Sequence, residues 1–90
     1  MLENMGIGEI KHYMKKHSLG IAKLALEINV QAIRISEILK NKRRITADTD
    51  LRLCRLFKLN NGHFLKHQVE YDLKLAKENL RETIKEIKPL

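Results

Sequence analysis

An all-α fold is expected of this 90-residue chain on three grounds. Only four glycines and one proline are present, and the proline is the penultimate residue, so nothing breaks a helix internally. Apolar residues recur at helical spacing, whereas β-branched and aromatic runs of alternating polarity are missing. A hydrophobic content of 43% suits a packed core rather than a disordered chain. The length allows one domain over residues 1–90, with no room for a second core.

Five helices follow in order. The first runs from about Ile7 to His17, with Ile10, Tyr13 and Met14 on one face. Gly20 stands at an N-cap position before a short second helix, Ile21 to Ile28, and Asn29-Val30 makes a turn into a third, Gln31 to Leu39. The polar stretch Lys40-Asn41-Lys42-Arg43-Arg44 leads to Thr46, a good N-cap, with Asp48 and Asp50 in the first turn where they favour the helix dipole. The fourth helix ends near Lys58, before Asn60-Asn61-Gly62. A long fifth helix, about 62–87, stops before Pro89.

The charge is lopsided: 18 Lys+Arg against 11 Asp+Glu give +7, which implies an anionic partner, most commonly a phosphate backbone. A membrane surface is the rival. It is disfavoured because there is no strongly basic amphipathic helix bearing Trp or Phe and no apolar span near 20 residues. The first residues lack the basic-then-apolar order of a signal peptide, and a lone cysteine suits a reducing compartment, so a cytoplasmic location is expected. The excess charge is concentrated: residues 31–44 carry Arg34, Lys40, Lys42, Arg43 and Arg44 against Glu37, a net of +4, while residues 61–90 are nearly neutral.

Ile21 to Lys40 has the pattern of a helix-turn-helix. Leu24, Ala25 and Ile28 share a face of the second helix, and Val30, Ile35 and Ile38 supply the apolar positions after the turn. Ala25 is small where two helices must cross closely, and Asn29 tolerates the left-handed turn position that glycine usually takes. Projecting the third helix at about 100° per residue from Ile35 puts Ile38 and Leu39 on the buried side. Ile33, Arg34, Ser36, Glu37 and Lys40 then face outward. Gln31 and Ala32 project nearer the core side, but they begin the helix, the end that a recognition helix presents to bases. The candidate base readers are therefore Gln31, Ala32, Ile33, Arg34, Ser36 and Glu37. Arg34 can read guanine, Gln31 adenine, and Ile33 can meet thymine methyl groups or simply be an exposed apolar residue. Glu37 could accept from cytosine, but orienting a neighbouring arginine is the favoured reading. Lys40, Lys42, Arg43 and Arg44 form a candidate phosphate clamp, against the alternative of a solvated loop.

The same residues resemble a family. The segments IGEI, LGIAKLALEINV, RISEILKNKRRITADTDLRL and HQVEYDL are similar to HigA-type antitoxins, the virulence-associated protein I family, within the Cro/λ-repressor-like helix-turn-helix superfamily. The resemblance covers about two thirds of the chain, from Gly8 to Leu73. The chain departs from it at Gly6-Ile7, where the family has His-Pro, at Asn41 and Lys58, where it has Gly, and at Phe64, where it has Trp. The resemblance implies a non-enzymatic antitoxin that neutralises a RelE-like mRNA-cleaving toxin and represses its own operon as a dimer. The alternatives are a helix-turn-helix regulator without a toxin partner and a protein-interaction module that has lost DNA binding.

One helix-turn-helix reads too little DNA for strong selectivity, so such modules pair across an operator palindrome in double-stranded DNA. In the fifth helix Leu73, Leu80 and Ile87 repeat every seven residues with Ala76 and Ile84 beside them, an apolar stripe for a homodimer or a partner. Phe64, Leu65 and Val69 are expected to pack back on the core. His63 and His67 have metal-ligand spacing but no third ligand, so neither a metal nor a cofactor is expected. Cys54 reads as a small buried hydrophobe rather than a nucleophile.

Overall fold

In a computed structural model, which describes residues 2–90, the described chain forms six helices and no strand. They are α1 (Met5–Lys16), α2 (Ile21–Glu27), α3 (Ala32–Leu39), α4 (Ala47–Phe57), α5 (Leu65–Asn79) and α6 (Arg81–Glu86). The all-α expectation holds. The single long last helix does not: it is interrupted at Leu80 (φ −100°, ψ 9°), although Leu80 N–H still donates to Ala76 O and Ile84 N–H to Leu80 O. No other helix among the described residues buries this segment, every residue of which is exposed, and it breaks beside Asn79, a weak helix former.

Local chemistry sets the helix starts. The Asn4 side chain caps α1 by accepting from Gly6 N–H at 3.0 Å, and Thr46 caps α4 by accepting from Thr49 N–H. Neither α2 nor α3 has a side-chain cap, so both depend on packing. Ile10, Leu24, Ala25, Ile28, Ile35, Ile38, Ile45, Leu53, Cys54 and Phe64 are at most 5% exposed, so five helical segments converge on one core. α2 packs on α3, and α1 bridges α3 and α5. Gly6 is needed at the α1 approach, since a Cβ there would lie 2.7 Å from Ile45 Cδ1 and 3.1 Å from Phe64 O.

Buried polar groups tie the late helices to this core. Asp50, in the first turn of α4, accepts N–H bonds from Gly62 (2.6 Å), Phe64 (2.9 Å) and Leu65 (2.9 Å). It thereby satisfies donors at the start of α5, which lacks a cap of its own. Gln68, 2% exposed, accepts from Asn4 Nδ2 (2.8 Å) and Ile45 N–H (2.9 Å) and donates to Asp72 Oδ1 (2.9 Å). Because Gln68 takes the inward direction, Val69 turns about 100° away. It is 44% exposed instead of packing with Phe64, as the spacing had suggested. Leu65 is half-buried.

Beyond Asp72 every residue is exposed. The described chain spans 49 × 23 × 20 Å with a radius of gyration of 15.5 Å, against about 12 Å for a compact domain of this length. The excess reflects an arm that continues α5 past the body. No helix among the described residues is long and apolar enough to cross a membrane.

Candidate nucleic-acid interface

The turn between α2 and α3 depends on one backbone conformation. Asn29 is left-handed (φ 60°), and its N–H and that of Val30 donate to Leu26 O and Ala25 O as α2 ends. Ile35 and Ile38 then anchor α3 in the core at 1% exposure. That fixes which residues face outward. Ile33 is 57% exposed, while Arg34, Ser36 and Glu37 are half-buried. Gln31 and Ala32 are exposed as well. The projection had put these two nearer the core, but they precede the first full turn, where no other element covers the helix.

Asn29, Gln31, Ile33, Arg34, Glu37 and Arg43 line one shallow concavity on this side of the molecule. The helix start and Arg43 of the basic loop thus share one surface, while Asn41, Lys42 and Arg44 line a second concavity against α5 with Arg43 between the two. Lys40, Lys42, Arg43 and Arg44 are all exposed. Neither Lys40 nor Lys42 pairs with a carboxylate among the described residues, whereas the two arginines do. Arg43 Nη1 lies 3.7 Å from Glu37 Oε1, across the end of the third helix. Arg44 turns the other way, and its Nε donates to Asp72 Oδ2 on α5 at 2.9 Å. Asn41 Nδ2 donates to Tyr71 OH at 3.0 Å, so the basic loop is tied to α5 at two points. The Asp72 carboxyl sits below its ordinary range because Arg44, and then Gln68, donate hydrogen bonds to it.

Arg34 is also braced. Its Nη1 lies 2.9 Å from Asp48 Oδ1 and 3.5 Å from Thr49 Oγ1. Arg52 Nε donates to the same Asp48 oxygen at 2.7 Å, and Arg52 Nη1 donates to the carbonyls of Ile28 (2.9 Å) and Asn29 (3.1 Å). Asp48 is held below the ordinary carboxylate range by Arg52 first and Arg34 second. From its place in the sequence Asp48 is a helix-dipole residue, and nothing in the pattern marks Arg52 as functional. The i,i+4 spacing of Asp48 and Arg52 was legible as a helix pair. The contact with Arg34, fourteen residues away, was not.

Leu73 (65% exposed), Leu80 (45%), Ile84 (53%) and Ile87 (64%) lie on the arm, remote from this surface in sequence and uncovered by the chain itself. His63 Nε2 lies 2.7 Å from Glu9 Oε1, and among the described residues no group of three or more His, Cys, Asp or Glu side chains could hold a metal. Cys54 is 1% exposed, and burial pushes its thiol above the ordinary range.

No protein-family model matches the chain. Virulence-associated protein I of Dichelobacter nodosus is 41% identical over 85 residues, spanning 92% of this chain and 78% of that protein. The Pseudomonas aeruginosa antitoxin HigA, solved with the higBA promoter, superposes with a TM-score of 0.89 at 27% identity, covering 100% of this chain and 99% of that one. An addiction module antidote protein of the HigA family from Coxiella burnetii gives 0.86 at 29% identity over 98% and 97% of the two chains. With a relative above 40% identity and this fold, the chain belongs to the virulence-associated protein I family of HigA-type helix-turn-helix antitoxins.

Proposed function

We propose that the protein is a non-enzymatic antitoxin that binds its own operator DNA as a homodimer, represses that operon and neutralises a RelE-like mRNA-cleaving toxin in the cytoplasm. One observation carries the DNA reading: the exposed start of α3 and Arg43 of the basic loop line one concavity, so a groove-filling helix and a phosphate contact can engage together. The Pseudomonas HigA solved with promoter DNA supports the same use of this fold. Gln31, Ala32, Ile33, Arg34 and Ser36 meet base edges, and Glu37 orients Arg43. Lys40, Lys42 and Arg43 meet phosphates, while Arg44 reaches one only by exchanging Asp72 for it.

The uncovered stripe of Leu73, Leu80, Ile84 and Ile87 supports pairing through the arm. Two copies would set two recognition helices about 34 Å apart on a palindrome. Titration of operator DNA at several salt concentrations tests the phosphate contacts. For roughly six to ten neutralised phosphates per dimer, log K falls with log salt at a slope of about −5 to −9. A slope near zero refutes the clamp. Sedimentation of the full chain, and of a truncation ending at Asn79, tests the dimer. A monomer at micromolar concentration refutes it, and an unchanged dimer after truncation moves the interface upstream of Leu80. Neutralisation is tested by co-expression with any RelE-like toxin found in an adjacent reading frame: restored growth supports it, and unrelieved toxicity or the absence of such a frame refutes it.

A further inference from the structure

The geometry points to Asp48 as a positioning residue for sequence discrimination: its carboxylate holds Arg34 in reading posture and, through Arg52, ties that posture to the helix-turn-helix turn. The inference rests on the reading of α3 as the DNA-reading helix. Four bonds form an unbroken path. Arg34 on α3 and Arg52 on α4 converge on one oxygen of Asp48, at 2.9 and 2.7 Å. Arg52 then reaches the carbonyls of Ile28 and Asn29, which close the turn from which α3 departs. The reading side chain and the angle of its helix are thus set by the same α4 pair.

Stability is a poor explanation for this arrangement. Asp48 is 57% exposed and its partners 31% and 37%, and ion pairs at such exposure contribute little to folding. Their effect on a flexible side chain is larger. An unrestrained arginine has many rotamers to lose on meeting a base, and one fixed beforehand loses fewer. Asp48 also offsets the charge of Arg34 and Arg52, so while it is present unrelated DNA meets a less positive surface. Both effects act on the ratio of specific to non-specific affinity. Removing Asp48 should lower operator affinity while raising affinity for unrelated DNA.

The test measures operator and unrelated duplex binding for Asp48→Asn, Asp48→Ala, Arg34→Ala and the double variant Arg34→Ala/Asp48→Ala. Thermal melting alongside verifies that each folds, and the near-isosteric Asn keeps the test alive if Ala perturbs α4. The expected result is a fall of about tenfold in the specificity ratio for Asp48→Asn. Asp48→Ala should fall at least as far, and neither should lower affinity for unrelated DNA. In the double variant the loss should be no greater than for Arg34→Ala alone, which a merely structural role would not produce. If Arg34→Ala loses discrimination and both Asp48 variants keep it, the positioning role is wrong and the recognition helix stands. If Arg34→Ala also keeps full discrimination, both fail together. Additive losses in the double variant overturn the route through Arg34.

Discussion

The helix-turn-helix body and the C-terminal arm carry apolar residues at the same helical spacing, yet only the body buries them. Leu24, Ile35, Ile38 and Leu53 lie at 0–1% exposure because helices α1 to α4 and the start of α5 converge on them. Leu73, Leu80, Ile84 and Ile87 repeat as regularly and remain 45–65% exposed because no second element reaches them. The irregular backbone at Leu80 falls in this unsupported half. Periodicity therefore reports that a face exists, and the number of elements meeting it decides whether the face becomes core. Within one copy of the chain, the arm is the end of α5 and the short α6, with Ile87 just past the second in extended backbone, and their apolar side chains stay in solvent.

This contrast can be broken by mutation. Phe64→Ala, at the point where α5 joins the body, should cost about 3–5 kcal/mol in urea denaturation. Leu80→Ala, measured at concentrations where the chain is monomeric, should change stability by less than ~0.5 kcal/mol. Comparable losses for the two would mean that the arm packs on its own body. Gln68→Leu removes the acceptor for Asn4 Nδ2 and Ile45 N–H while leaving a shape of similar size. Stranding these buried donors should cost on the order of 1–3 kcal/mol, with the loss of hydrogen-exchange protection strongest at Ile45.

Asp72→Asn should also have a small effect, below ~1 kcal/mol at pH 7, because the pair with Arg44 is partly solvated. Its sign is nonetheless fixed. The native carboxyl lies below the ordinary 3.8, so the unfolded chain takes up its proton first as pH falls. The contribution is therefore intact above 3.8 and fades as pH drops below it. Wild type and variant should differ at neutral pH and converge in acid. A constant gap down to pH 2 would assign the effect to something other than this ionisation.

Much of the body was legible in the sequence. The Gly20 and Thr46 caps, the left-handed Asn29 and the buried Ile35 and Ile38 follow from local chemistry and spacing. The outward set on α3 was legible too, apart from Gln31 and Ala32, because a periodic projection assumes packing along the whole helix and that helix start has none. Contacts between distant segments were not legible. Asp50 reads as a dipole residue, yet its side chain gathers three N–H groups from residues 62–65. Arg44 reads as a phosphate ligand, yet in the free protein it pairs with Asp72 on α5. Which carboxylate an arginine selects depends on tertiary geometry that pattern does not encode.

Four turns leave their helices in the left-handed region without glycine: Ser18 (φ 54°), Asn29 (60°), Asn41 (58°) and Lys58 (58°). For residues other than Asn this conformation costs roughly 1–2 kcal/mol, which glycine would largely relieve. Lys58→Gly and Ser18→Gly should each raise the melting temperature without touching the α3 surface. The fold thus holds unused stability at Ser18 and Lys58, outside the residues proposed to choose a DNA sequence. A lineage that recovers it there can tolerate destabilising changes on α3, so the turns set how freely the recognition surface can drift toward a new operator.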